Sequence, residues 1–99
     1  MASKLPLSYV LEKQMLRISI AHSSAQSVTL RVEGELKTRW VGELGRACEE
    51  AMSRNARLSL DFAGVSFIDA QGIDLIRALR ERHVVVANPS SFIAEQIGG

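Results

Sequence analysis

Asp69 and Gly72 stand three residues apart in the stretch FIDAQGIDLI, Phe67 to Ile76. An apolar pair ends on an acid, a glycine follows, and a helical apolar period begins. That profile predicts a strand end turning tightly into a helix N-terminus, where unpaired backbone N–H groups gather. A carboxylate suits this position. Asp69 is expected to cap the helix and complement its dipole, worth about 0.5–2 kcal/mol. Gly72 is read as permitting tight backbone packing. The residues at the tip, Ala70 and Gln71, bring no hydroxyl, thiol or imidazole. The turn therefore carries no nucleophile of its own. Ser66 is the nearest hydroxyl in sequence, and an ordinary loop hydroxyl is its simpler reading. Asp74 and Arg77 follow at helical spacing, either as a solvated face with weak pairing or as the rim of a partner surface.

The other reactive side chains form no constellation. His22 is expected in a loop and His83 at a helix end, neither with a second ligand or a nucleophile at recognisable spacing. Glu49 and Glu50 are adjacent on an exposed helix side. No phosphate-cradling glycine loop of either common type is present. An enzyme is not expected, nor a metal, nor a cofactor.

Composition narrows the field further. The chain has 99 residues, 46% of them apolar, and a net charge of +1. That length makes one domain able to bury roughly two-thirds of its unfolded surface. The charge balance gives no electrostatic case for nucleic acid or an anionic membrane. The single cysteine, Cys48, excludes an internal disulfide and any cysteine-pair metal site, and suits a reducing compartment. No signal peptide and no apolar run of membrane-spanning length is visible, so a cytoplasmic location without membrane insertion is expected.

The elements that must position the turn follow from the apolar period. Residues 1–12 show no clean period and are read as an arm or edge segment, with the domain proper over 13–99. Leu16, Ile18 and Ile20 alternate with polar residues, as do Val28, Leu30 and Val32, and HSSAQS between them predicts the turn of an antiparallel hairpin. Gly34 marks a bulge or a close backbone approach. Trp40, Leu44, Ala47, Cys48, Ala51 and Met52 recur at helical steps. Thr38 is expected to cap this helix and Asn55 to follow its end. Gly42 and Gly45 weaken it by about 1 kcal/mol each and suggest close packing.

Leu58, Leu60 and Phe62 predict a third strand, with AGVSFI leading from it into the turn. Ile73, Leu75, Ile76, Leu79 and Arg80 place the second helix, which ends near His83. Val84 to Ala87 read as a fully buried strand. Asn88 and Pro89 read as the cap and first residue of a last helix, with Phe92, Ile93 and Ile97 inward and Gly98 and Gly99 at its end. The order is β-β-α-β-α-β-α: a single small α/β domain, a mixed sheet with helices packed on it.

With this order, GVSFIDAQG between the third strand and second helix, and VVVANPSSFIAEQIGG after it, the chain resembles a STAS domain, the fold of bacterial anti-sigma factor antagonists. The resemblance runs from about Met15 to Gly99 and is most specific in DFAGVSFIDAQG. In that family the turn is usually written D-S-S-G or D-S-T-G. Its third residue is phosphorylated by a kinase that is also the anti-sigma factor, and the phosphorylated antagonist lets go. Asp69 and Gly72 match that pattern; Ala70 and Gln71 depart from it. No kinase can phosphorylate the Gln71 amide, so the resemblance implies a docking surface without the usual switch, with Ser66 as a weak substitute.

The resemblance thus implies a non-catalytic interaction module in bacterial signalling, regulating transcription by sequestering an anti-sigma factor or related kinase-like ATPase. The expected partner-binding residues are Asp69, Ala70, Gln71, Gly72, Asp74 and Arg77. A rival reading is a small cytoplasmic STAS subunit that braces the ATPase of an ABC-type, lipid-trafficking transporter. A small anion at the turn is disfavoured, because no basic residue follows it until Arg77. The chain ends soon after the third helix, so pairing with a second copy through a sheet edge is a further expectation.

Overall fold

The alternating strands and the helical stripes meet on one shared core. The computed structural model describes residues 10–13, 16–54 and 57–98. Strand β1 (Val10–Lys13) is followed by β2 (Leu16–Ser23), β3 (Ser27–Leu36), helix α1 (Thr38–Met52), β4 (Arg57–Ile68), α2 (Ala70–Glu81), β5 (Val85–Ala87) and α3 (Ser91–Gln96). From β2 onward this is the expected β-β-α-β-α-β-α order. The strands form one mixed sheet in the order β1-β2-β3-β4-β5. β2 runs antiparallel to both β1 and β3, and β3, β4 and β5 are parallel.

Parallel pairing requires a crossover between strands, and α1 and α2 supply it. Leu44, Ala47, Cys48 and Ala51 from α1, with Ile76 and Leu79 from α2, join Ile18, Leu30, Val32, Leu60 and Phe62 in a single core. Burial pushes the Cys48 thiol up to about 12, with the neighbouring Glu49 carboxylate adding to it. The group is an inert small hydrophobe at neutral pH. Trp40 and Met52 are half-buried at the core's margin. Among the described residues, no helix is long and apolar enough to cross a membrane.

Several elements differ from the sequence expectation, each for a physical reason. AGVSFI is not a connection but the second half of β4. The register steps from Arg31–Asp61 to Glu33–Gly64, and from Gly34–Val65 to Glu35–Phe67, so β4 carries one extra residue at two places. Bulges of this kind break strict alternation. The buried residues Phe62, Val65 and Ile68 therefore recur every three positions rather than every two. Gly34, opposite the second bulge, has φ 106°, a conformation glycine adopts without strain.

The turn between β2 and β3 is shorter than HSSAQS. His22 and Ser23 remain in β2, and the Ser24 hydroxyl accepts from the N–H groups of Gln26 and Ser27 at 3.2 and 3.1 Å. That hydroxyl closes the turn within three residues. Gly42 faces open space rather than a close neighbour, and a Cβ at Gly45 would make ordinary contact with Leu75 at 3.8 Å. Neither glycine is required by packing. Asn55 and Gly99 lie outside the described residues.

The last strand is not fully buried. β5 is a three-residue edge strand with one neighbour; Val85 is 57% exposed, and the buried valine is Val84, just before it. The cap of α3 is Ser90, whose hydroxyl accepts from Ile93 N–H at 3.2 Å. Asn88 instead adopts a left-handed conformation with φ 59°. Phe92 is 57% exposed while Ile93 and Ile97 are buried. A six-residue helix can turn only one stripe inward, and the four-residue step from Ile93 to Ile97 takes it.

Candidate functional site

The turn after β4 is built around one carboxylate. Asp69 continues the extended strand, with φ −97° and ψ −178°, and its N–H donates to Leu36 C=O at 3.2 Å. Its Oδ1 accepts from Gly72 N–H at 2.9 Å, which is the expected cap of α2. The other oxygen does something unforeseen. Asp69 Oδ2 accepts from Thr38 N–H at 2.6 Å and from Thr38 Oγ1 at 2.7 Å.

Thr38 is therefore not the cap of α1 but its first residue. The cap position belongs to Lys37, whose side chain makes no capping bond. A lysine ammonium only donates, so it cannot accept a helix N–H. Asp69, thirty-one residues away, takes over that role for α1 while capping α2. Neither helix has another acid in its first turn. Partial burial pushes the Asp69 carboxyl up. The hydrogen bonds from Gly72, from Thr38 and from the Gln71 N–H outweigh it and hold the group below the usual carboxylate range.

Gly72 completes the frame by letting α2 approach β3. A Cβ there would fall 2.8 Å from Ile68 Cγ1 and 3.0 Å from Leu36 C=O. Backbone and branched side chain leave no room for it. Ala70, Gln71, Asp74 and Arg77 all face solvent on α2. The structure thus brings Asp69, Ala70, Gln71 and Gly72 together, with Asp74 one turn further on. Arg77 stands two turns along, its guanidinium beside Gly98 at the end of α3. Ser66 is exposed on β4, and its hydroxyl donates to Gly34 C=O at 3.2 Å. It is a strand residue, not a loop hydroxyl.

Three neighbours of the turn escaped the sequence reading: Thr38, Lys37 and Phe67. Phe67 is 41% exposed at the end of β4, and the Lys37 ammonium lies 5.9 Å from its ring centroid. The one available signal was the lysine before α1, since a helix start without an accepting side chain must borrow its acceptor from elsewhere. Among the described residues no three His, Cys, Asp or Glu side chains cluster as metal ligands.

This architecture is shared with solved structures. The anti-sigma factor antagonist SpoIIAA in its unphosphorylated form matches with a TM-score of 0.65 at 21% identity, over 80% of this chain and 76% of that one. An anti-sigma factor antagonist STAS domain from Rhodobacter sphaeroides matches with a TM-score of 0.57 at 19% identity, over 75% of this chain and 87% of that one. No protein-family model matches the sequence, and no curated protein does. At these identities the likeness establishes the fold, and the chain has the STAS fold.

Proposed function

We propose that this chain is a non-catalytic interaction module of bacterial signalling. It binds an anti-sigma factor or related kinase-like ATPase through the turn Asp69–Gly72 and the exposed face of α2. The observation that carries this reading is the division of labour within the turn. Asp69 and Gly72 are consumed by the frame, while Ala70 and Gln71 are displayed on it. A surface already held in place loses little conformational freedom on docking, which favours binding. The fold is that of two anti-sigma factor antagonists, which supports this class of partner over a transporter ATPase.

Gln71 gives the proposal its particular form. Its amide is polar, uncharged and unable to take a phosphoryl group. The partner is held without release by phosphorylation at this position, so ATP does not dissociate the complex through Gln71. Sequestration of the partner, rather than chemistry, is the output.

The test is a pull-down from native host lysate with the tagged chain, read by mass spectrometry beside the Gln71→Arg/Asp74→Arg variant. The expected result is a kinase-like ATPase or anti-sigma factor recovered by the wild type and lost by the variant. Recovery of transporter subunits would transfer the chain to the rival class. Equal recovery by both baits would remove the turn from the interface.

A further inference from the structure

We infer that the Thr38 hydroxyl is a positioning group for the docking tip. It holds the Asp69 carboxylate in the orientation that sets Ala70 and Gln71, so partner affinity depends on a hydroxyl of α1. This role rests on the binding reading proposed above and extends control of that site to another helix.

The first reason is geometric. A carboxylate swings easily about its last side-chain bond, whose torsion is broad and two-fold. The place of Oδ1 is therefore set by what holds Oδ2. Among the described residues, both donors to Oδ2 come from Thr38, its N–H at 2.6 Å and its Oγ1 at 2.7 Å. Oδ1 accepts from Gly72 N–H at 2.9 Å, and the Gln71 N–H also bonds the carboxylate. The backbone does not replace this control. Asp69 N–H donates to Leu36 C=O at 3.2 Å, and Leu36 pairs in register with Ile68. Those contacts fix where Asp69 begins, not where its carboxylate points.

The second reason is that capping does not need the hydroxyl. The Thr38 N–H already satisfies the orphan donor at the start of α1. Thr38 is exposed, so water can satisfy its hydroxyl. What the hydroxyl bond adds is a second fixed direction on one oxygen. A β-branched side chain has few χ1 rotamers, which gives that direction definition, and a bond to a carboxylate is charge-assisted.

The third reason is that the other donors near the turn are engaged elsewhere. The Ser66 hydroxyl donates to Gly34 C=O at 3.2 Å, and the Lys37 ammonium lies 3.0 Å from Glu35 Oε1. The orientation of the carboxylate, and of the tip behind it, thus hangs on one residue thirty-one positions away.

The test uses the full chain as Thr38→Val, Thr38→Ser and Ser53→Ala. Valine keeps the branch and the N–H but lacks the hydroxyl, and serine restores it. Ser53→Ala removes a hydroxyl bond at the far end of α1, from Ser53 Oγ to Glu50 C=O at 2.8 Å, and controls for a general loosening of that helix. Amide resonances and hydrogen exchange are read at Gln71 and Gly72. Affinity is read against the protein that wild type captures and Gln71→Arg/Asp74→Arg loses. Thr38→Val is expected to shift both amides, to speed their exchange relative to Ile76 and Leu79, and to weaken binding about tenfold. Thr38→Ser and Ser53→Ala should bind within about twofold of wild type. Weaker binding by Thr38→Val with unmoved Gln71 and Gly72 amides would make the hydroxyl a direct contact and overturn the positioning role. Wild-type affinity in Thr38→Val, or an equal loss in Ser53→Ala, also overturns it and leaves the turn as the site. No captured protein, or one that Gln71→Arg/Asp74→Arg retains, overturns the binding reading and this role with it.

Discussion

Of the three junctions that lead from a parallel strand into a helix, those after β4 and β5 are built to different standards. Between β4 and α2 lies one residue, Asp69, whose carboxylate accepts three hydrogen bonds from two helices. Between β5 and α3 lie Asn88, Pro89 and Ser90, and the cap is one local bond from Ile93 N–H to Ser90 Oγ at 3.2 Å. Asn88 reaches Asp61 Oδ1 only at 3.4 Å, in a left-handed conformation. The first junction fixes distant segments to one another, whereas the second fixes mainly itself. A rigid frame beneath an exposed tip is what a docking surface needs, and only the first junction has it.

The largest effect is expected from Asp69→Ala. It removes the caps of α1 and α2 together, so unfolding free energy should fall by about 2–3 kcal/mol, more than one cap alone costs. Chemical denaturation with an unchanged m-value would measure it. A loss near that of a single cap would mean that water replaces the bond to Thr38. The acid limb carries the same signature. Asp69 is held below its ordinary value of 3.8 in the folded chain. Its contribution is therefore fully present above that value and is lost as pH falls through the lower folded one. Glu49, lowered by its hydrogen bond and charge pairing with Arg82, acts in the same direction. The Asp69→Ala variant should show a flatter loss of stability below about pH 4 than wild type.

Next comes Gly72→Ala, expected to cost about 2 kcal/mol by overpacking against Ile68 and Leu36. It sharpens the comparison because it disturbs the frame without touching the carboxylate. If α2 shifts to make room, the backbone amide resonances of Ala70 and Gln71 should move with it. Unmoved resonances would separate the frame from the tip.

What could be read in advance divides along the same line. Local features were legible: the hairpin of β2 and β3, the amphipathic stripes of α1 and α2, and Asp69 as a cap of α2. Each depends on residues a few positions apart. Features set by a distant strand were not. The two bulges in β4 changed the burial period from two to three after Phe62, which disguised its second half as a loop. The capping of α1 by Asp69 spans thirty-one residues, and the nearby Thr38 was the more economical guess. Edge position, too, is a property of the sheet, so Val84 to Ala87 read as buried when Val85 is largely exposed. At the site, the frame was visible in D-x-x-G, but Phe67, Lys37 and Thr38 come together only through parallel pairing of β3 with β4.

At the second junction a matched variant, Ser90→Ala, should cost about 0.5–1 kcal/mol, the usual loss for one cap. Its size relative to Asp69→Ala measures how much of the first junction's strength comes from joining two helices. A Ser90→Ala loss equal to that of Asp69→Ala would erase the distinction between local and long-range capping.

The smallest effect is expected from Phe92→Ser. The inward stripe of α3 is taken by Ile93 and Ile97, and the step from Phe92 to Ile93 rotates the side chain by about 100° away from it. With 57% of its surface in water, Phe92 has little burial to lose, and serine is a comparably good helix former. Thermal unfolding should place the change within about 0.5 kcal/mol. The same exposure makes Phe92 a fair comparator for Phe67, which carries a lysine over its ring beside the fixed turn. Partner affinity that falls with Phe67→Ser and holds with Phe92→Ser would trace binding to the junction tied by Asp69. A fall with Phe92→Ser alone would place the contact on α3 and reverse the ranking of the two junctions.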